Sequence, residues 1–298
     1  EKSLYSVVSL ENEYEISNGG LEILSDKSVE SATCVFERND AGEATKIKHF
    51  KHLHDLKLSP FVGGYENNCD GCMLPISEPF YYCLECVFFL HKVCAELPKV
   101  KHVWHHPCQQ PLSLISNKAF CCGMCWHVSN AFAYECCKCE TKICLRCMIA
   151  FTPGLQFCAT CGCFSLPITA HHKCDVHLLS LTDHDDNSYS ESHYCDICEE
   201  SRDPNRWFYH CAACDTSAHV GCVLGQYPFF KLGSIYEDKN HPHPLTIVKN
   251  IYNYPECDKC GKLCEDLALE CSKSDCKYII HWNCATSRSL QRWWEWLL

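Results

Sequence analysis

A six-residue pattern of thiols and imidazoles is written four times along this chain, and that repeat limits the possible folds more than any other feature. The first copy is Cys69, Cys72, Cys83, Cys86, His91 and Cys94; the second is Cys122, Cys125, Cys136, Cys139, Cys144 and Cys147, with Cys144 standing where the others have His. The third is Cys195, Cys198, Cys211, Cys214, His219 and Cys222, and the fourth is Cys257, Cys260, Cys271, Cys276, His281 and Cys284. In every copy four residues separate the second pair from the fifth member, and two separate the fifth from the sixth. Side chains of this kind need partners, and the candidates are a second sulfur or a metal.

Histidine decides between them. The 298 residues include 30 Cys and 18 His, and His recurs at fixed offsets from Cys, for which a disulfide framework has no use. Cys is counted in the 47% hydrophobic fraction, so the aliphatic and aromatic stock per copy is thin and metal must stand in for a core. No run approaches the roughly 20 apolar residues of a membrane helix, and no signal-peptide core is visible. We therefore expect zinc, held in a reducing intracellular compartment, cytoplasm or nucleus. The formal charge of −11 lacks the basic footprint of a nucleic-acid binder. Each ion held by three thiolates and a neutral imidazole makes the balance more acidic still.

A Cys-x-x-Cys turn presents two sulfurs to one ion and supplies half of a tetrahedron; His-x-x-Cys does the same with one nitrogen. Three half-sites per copy leave one half to be found. A lead-in precedes each copy: "HLHDL" with His52 and His54, "HPCQQPL" with His106 and Cys108, "CDVHLL" with Cys174 and His177, and "HPHPL" with His241 and His243. Each runs into a leucine, Leu56, Leu112, Leu179 or Leu245. A lead-in residue plus one trailing ligand, His102 in the first copy, completes eight ligands and two ions per copy, about eight ions in all. Tyr81, Tyr134, Tyr209 and Leu269 stand two before the third Cys, in alternating segments that read as short half-buried strands.

The order His, Cys-x-x-Cys, Cys-x-x-Cys, four residues, His-x-x-Cys, seven residues, ligand resembles the cysteine-rich zinc module of protein kinase C. With His in the eighth place and the "HPHPL" lead-in, residues 46–298 most resemble the plant cysteine/histidine-rich divergent C-one domain proteins. The resemblance implies a tandem array of small zinc-stabilised α+β modules, each with short antiparallel strands, a short helix and little hydrophobic core. It also implies interleaved ligation, with one ion on Cys69, Cys72, His91 and Cys94 and the other on His54, Cys83, Cys86 and His102. The corresponding inner sites are Cys122, Cys125, Cys144 and Cys147; Cys195, Cys198, His219 and Cys222; and Cys257, Cys260, His281 and Cys284. For the outer sites we expect Cys136 and Cys139 with Cys108 or His106, Cys211 and Cys214 with His177 and His241, and Cys271 and Cys276 with His243 and Cys264. Between copies two and three, Cys158 and Cys161 can form a further tetrahedron with His171 and Cys174, or Cys158 can complete copy two.

These spacings divide the chain into an N-terminal extension, 1–45, read as the remnant of a preceding unit; module one, 46–102; module two with the extra cluster, 103–172; module three, 173–240; and module four, 241–298. His49 has the place of a trailing ligand from such a preceding unit, so the chain reads as part of a longer array or as one with a degenerate first unit. His127, His184, His193 and His210 fit no ligand slot and are expected at the surface or in packing. Cys34, Cys121, Cys137 and Cys163 are expected as small buried residues or free thiols. The tail "LQRWWEWLL" is expected to cap the last module through Trp293 and Trp294.

Structural zinc is saturated by four protein ligands, whereas catalytic zinc keeps a place for water. Saturated inner sites, with no nucleotide-binding glycine loop, serine elbow or kinase signature, point away from an enzyme. The expected function is a non-enzymatic zinc-binding repeat protein that presents loops to other proteins as an adaptor in signalling. Two other readings stay open: a thiol-disulfide oxidoreductase working through Cys-x-x-Cys, and a diacylglycerol-binding module. Against the second, the lipid-binding kinase modules carry Gln-Gly before the third Cys, where this chain has "EPFYYC", "NAFAYEC", "RWFYHC" and "LALEC".

Overall fold

The computed structural model describes residues 31–59, 67–76, 79–103, 106–116, 118–150, 166–182, 193–249, 255–286 and 290. Strands β1 (Thr33–Arg38), β2 (Ala44–His49), β3 (Leu56–Ser59), β4 (Phe80–Cys83) and β5 (Phe89–His91) form an antiparallel meander in chain order, followed by the one-turn helix α1 (Lys92–Ala95). The second sheet takes β6 (Val100–Lys101), β7 (Leu112–Ile115), β10 (Ala133–Cys136) and β11 (Lys142–Cys144), while β8 (Phe120–Cys121) and β9 (Val128–Ser129) pair separately; α2 (Leu145–Ala150) follows. The third has β12 (Thr169–Ala170), β13 (Leu179–Thr182), β14 (Phe208–Cys211) and β15 (Thr216–His219), then α3 (Val220–Leu224). The fourth has β16 (Ile235–Tyr236), β17 (Leu245–Lys249), β18 (Leu267–Cys271) and β19 (Ile279–His281), then α4 (Trp282–Ala285). Small antiparallel sheets with one short helix each, set in tandem, are the architecture expected from the repeat.

Strand register explains why ligands distant in sequence meet. The leucine that opens the lead-in strand lies opposite the third Cys: Leu56 faces Cys83, Leu112 faces Cys136 and Leu245 faces Cys271. Residues just before that leucine therefore overhang the turn that carries the second Cys pair. On the other side, the fifth member faces the residue three before the third Cys, as Phe80 with His91, Ala133 with Cys144, Phe208 with His219 and Ala268 with His281. Because successive strand residues point to opposite faces, a one-residue slip would take every one of these ligands off its site.

Alternation also fixes what is buried. Tyr81, Tyr134 and Tyr209 are fully buried, and each hydroxyl donates to a backbone carbonyl, of Ala44 at 2.8 Å, Pro98 at 2.5 Å and Pro167 at 2.7 Å. Each bond satisfies a polar tip that burial would otherwise strand, for a net of about 1 kcal/mol. Module four uses Leu269 and needs no such bond.

The first sheet begins earlier than the sequence division suggests. β2 pairs with β3 through Lys46 to Lys57 and Ile47 to Leu56, and β1 pairs with β2, so residues from Thr33 onward belong to this sheet. His49 ends β2 fully buried, stacked on Phe132 with ring centroids 5.4 Å apart, and its Nε2 has no partner. Burial lowers its pKa to about 4, so it sits in the structure as a neutral packing ring.

Modules one and two are not separate beads. A single apolar cluster runs from Ile47, Leu56 and Leu90 in the first to Leu112, Tyr134 and Leu145 in the second. The seam is close: a Cβ on Gly71 would lie 3.1 Å from Leu90 Cδ2, 3.3 Å from Cys94 Cβ and 3.3 Å from Leu145 Cδ1, while the Phe132 amide donates to the Gly71 carbonyl at 3.2 Å. Module three has its own small cluster around Leu179, Tyr209 and Ala218, and module four has another around Leu245, Leu269, Ile280 and Trp282.

Candidate metal centres

Each inner site starts from a tight turn. After the first Cys-x-x-Cys the chain reverses through a residue in the left-handed region: Met73 (φ 61°), Trp126 (φ 60°), Glu199 (φ 62°) and Gly261 (φ 69°). Its amide donates to the carbonyl of the first Cys at 2.7 to 2.8 Å in all four modules, for example Met73 to Cys69 and Gly261 to Cys257. This orients both sulfurs to one side. Only module four uses the residue that adopts such a φ without strain, the other three carrying a cost of roughly 1–2 kcal/mol each. Replacing the exposed Glu199 by Gly is therefore expected to stabilise module three by up to about 1 kcal/mol once the extra freedom of the unfolded glycine is counted. A thermal melt of the zinc-loaded chain checks this, and a lowered midpoint would contradict it.

A carboxylate next to the first Cys then ties that turn to the strand of the fifth member. Asp70 accepts from the Phe89 amide at 2.7 Å, Asp196 from Ser217 at 2.6 Å and Asp258 from Ile279 at 2.7 Å. Module two has Gly123 there and keeps only the backbone bond, Gly123 to the Lys142 carbonyl at 2.8 Å. The amide of the fifth member points at the first sulfur in every module, His91 at Cys69, Cys144 at Cys122, His219 at Cys195 and His281 at Cys257, each at 3.4 Å. The fifth member also occupies the N-cap of the short helix, His91 with φ −52° and ψ 146°, and its ring makes no capping bond. The sixth member, three residues on, falls on the same side of the turn.

The resulting groups have tetrahedral dimensions. Cys69, Cys72, His91 and Cys94 offer ligand atoms within 4.8 Å of one another, as do Cys122, Cys125, Cys144 and Cys147, and Cys195, Cys198, His219 and Cys222. In module four, His281 Nδ1 lies 3.4 Å from Cys260 and 3.8 Å from Cys284, the distances also found for His219 with Cys198 and Cys222. Zinc with ligands about 2.0–2.3 Å away needs ligand-to-ligand edges of roughly 3.3–3.8 Å. The sulfur pairs of module two, Cys122 to Cys147 and Cys125 to Cys144, stand at 3.7 Å. His91 Nε2 lies 3.0 Å from the Pro75 carbonyl and His281 Nε2 2.8 Å from that of Leu263, bonds that place the proton on Nε2 and leave Nδ1 for the ion.

Without an ion these sulfurs are in conflict. Hydrogen bonds from neighbouring thiols, chiefly Cys69 and Cys122, hold Cys72 and Cys125 well below the usual thiol range, while Cys94, bonded to Cys69 and Cys72, and the fully buried Cys144 are pushed well above it. A dication resolves that conflict by taking all four as thiolates. Module two, with four sulfurs, would retain one more negative charge than the others, and there Arg146 lies between Cys144 and Cys147, 3% exposed. Burial works against the guanidinium charge, and the four surrounding sulfurs more than reverse this, holding its pKa above the usual value. Its Nη1 donates to the Cys72 carbonyl at 2.7 Å and its plane lies 3.5 Å from the Phe229 ring.

The outer sites depart from the ligand sets expected above. In module one, His52 joins His54, Cys83 and Cys86; His102 is exposed and has no place in the group. The reason is the register at Leu56: residues two and four before it both overhang the Cys pair, so the lead-in fills two corners and no trailing ligand is needed. Module two gathers His106 and Cys108 together with Cys136 and Cys139, so the two lead-in candidates act jointly. His241 belongs with module four, its Nε2 3.3 Å from Cys271 and 3.6 Å from Cys276, and not with Cys211 and Cys214 of module three. His243 stacks edge-on beside it, 5.3 Å between ring centroids, with Nδ1 buried and unpartnered; the counterpart atom of His54 lies 3.6 Å from Cys83. Cys264 is not the missing ligand. Its amide donates to the carbonyl two before the first Cys, Pro255, as that of Ile76 donates to Asn67. It thus takes the buried place of Ile76 beside Cys257, where burial raises its pKa to about 11.

In module three, His177 Nδ1 lies 3.2 Å from Cys214, and Asp175 packs against both. His171 and Cys174 are exposed, and Cys158, Cys161 and Cys163 lie outside the described residues, as do His184 and the tail tryptophans Trp293 and Trp294. His52 and Asp175 are the positions the residue spacing does not assign, and His106, given there as an alternative to Cys108, joins it. The signal was available: four residues before the lead-in leucine stand His52, Cys108, Asp175 and His241, all competent ligands.

The family model of the C1 domain matches residues 50–95 and 171–223, the cores of modules one and three. No curated protein and no solved structure matches the chain. The matched segments are similar to C1 domains, cysteine-rich modules whose Cys/His groups suit zinc, and the two unmatched modules carry the same turn and the same amide-to-sulfur bonds. Among the described residues no helix is long and apolar enough to cross a membrane.

Proposed function

From a chain with segments similar to C1 domains, we propose a non-enzymatic array of four zinc modules that holds about eight ions, two per module, and docks other proteins as an intracellular signalling adaptor. The ions act as staples: four protein ligands at each inner group leave no corner for a substrate water. The reading of a docking device rests on one observation. Three residues among and beside the outer ligands of module one are apolar and exposed, Leu53 by 78%, Leu84 by 63% and Val87 by 74%. Val176 and Leu178 flank His177 in module three in the same way. Apolar side chains held rigidly around a metal knuckle make a contact patch of low conformational cost.

Changing Leu53, Leu84 and Val87 together to Ser tests this reading. The zinc count by native mass spectrometry is expected to stay at about eight, while proteins captured by the wild-type chain are lost. An unchanged set of captured proteins would sink the adaptor reading. Zinc-dependent sedimentation with diacylglycerol vesicles, lost in the triple variant, would replace it with lipid binding, and turnover in an insulin-reduction assay by the zinc-loaded chain would replace it with thiol-disulfide exchange.

A further inference from the structure

We propose that the outer site of module three is a mixed sulfur, nitrogen and oxygen centre in which the carboxylate of Asp175 is the fourth ligand, beside His177, Cys211 and Cys214. This rests on the reading of the modules as zinc-bound.

Three independent observations carry it. The first is convergence. Asp175 Oδ1 lies 3.1 Å from His177 Nδ1 and 3.3 Å from Cys214 Sγ, and His177 Nδ1 lies 3.2 Å from the same sulfur. These three edges approach those of a zinc tetrahedron, roughly 3.3–3.8 Å, and Cys211, whose thiol also bonds the carboxylate, closes the fourth corner. The second is burial. The Asp175 side chain is 1% exposed although it sits in a lead-in whose neighbours Val176 and His177 are exposed, and its Oδ2 is buried with no partner. A desolvated carboxylate needs a cation, and no lysine or arginine forms an ion pair with it among the described residues. The third is position. Asp175 stands four residues before Leu179, the place held by His52 before Leu56, Cys108 before Leu112 and His241 before Leu245, each of which joins its module's second Cys pair.

The backbone amide of His177 also donates to Oδ1 at 2.9 Å, so the carboxylate closes a local turn as well. That turn fixes the oxygen at the metal corner and leaves the second oxygen free, as a monodentate ligand requires. The chemical consequence is selectivity. Thiolate-rich sites favour soft ions and zinc, and a carboxylate shifts the preference toward harder ones. Module three's outer centre is therefore the most exchangeable of the array.

Cadmium-113 spectroscopy of the full chain decides the matter, because the cadmium resonance moves downfield as sulfur replaces nitrogen or oxygen. In Asp175→Cys one resonance is expected to move downfield toward the position of the three-sulfur centre of His106, Cys108, Cys136 and Cys139, with every other resonance unchanged. In Asp175→His, which rebuilds the two-nitrogen set of modules one and four, the same resonance is expected to move by a smaller amount. Both variants are expected to need at least about tenfold more chelator than the wild type to remove that ion. A spectrum of Asp175→Cys or Asp175→His superimposable on that of the wild type would overturn the proposal. So would a wild-type chain one ion short of either variant, which would show that the carboxylate holds no metal while the other centres stand. A chain that bound no cadmium would defeat the zinc-array reading itself, a distinct outcome.

Discussion

Replacing Cys94 by Ser is expected to empty both centres of module one and to loosen module two with it, leaving the ions of module three in place. Cys94 is fully buried, and its Cβ lines the seam where Gly71, Leu90 and Leu145 meet. Structural zinc contributes about 10–16 kcal/mol in isolated zinc-finger peptides, so an inner site without one thiolate costs more than a small domain can spare. The damage spreads because the Phe132 amide and the Arg146 guanidinium of module two both bond backbone carbonyls of the Cys69 to Cys72 turn. Module three keeps its own cluster around Leu179 and Tyr209 and, among the described residues, meets this pair through Phe229, packed with Met73 and Ala131, in the segment that leaves it. Native mass spectrometry should count at least two ions lost, and hydrogen exchange should show reduced protection in β10 and β11. Full protection of those strands beside an emptied module one would mean that the seam carries little energy.

Replacing Arg146 by Met should cost about 3–5 kcal/mol, because it leaves a doubly negative four-sulfur centre buried without its counter-charge. Met keeps an unbranched apolar stem but loses the guanidinium, and with it the charge, the Cys72 bond and the stacking on Phe229, so the single variant alone does not separate charge from packing. The companion change Cys144→His isolates the charge effect. It gives module two the single net charge of its siblings, and in the Arg146→Met background it should recover about 1–2 kcal/mol relative to its own cost in the wild type. Chelator titration followed by the loss of module two's ions measures the cycle. Simple additivity of the two changes would show that Arg146 does not answer the fourth sulfur.

The inner centres were legible in the sequence because their geometry is local: a Cys-x-x-Cys turn and a His-x-x-Cys turn each place two ligands within a few residues, whatever else the chain does. The outer centres were less so. Their corners come from opposite ends of a strand pair, and only the register of Leu56 opposite Cys83 shows that His52 and His54 both reach the site while His102 does not. Spacing likewise could not separate His241 from module three, to which it is as near in sequence as to module four. Asp175 is invisible to a spacing of sulfurs and imidazoles alone, although its place in the lead-in matches that of His52. Cys264 shows the converse error, a thiol used as a small apolar side chain in the place of Ile76. The acidic staples Asp70, Asp196 and Asp258 act on backbone amides one strand away, a contact that ligand spacing alone does not encode.

The segment that leaves module three returns to module two before it enters module four: Phe229 lies under Arg146, its carbonyl accepts from Ser129 Oγ at 2.8 Å, and Asn130 bonds Lys231 in both directions. Topologically this clamps position 146 to position 229 and turns everything between them into a side lobe. Tension applied along the chain would run from module two straight into module four through the clamp. Module three would carry none of it until the clamp opened, and a protease that cut only within the lobe would leave the other three modules joined.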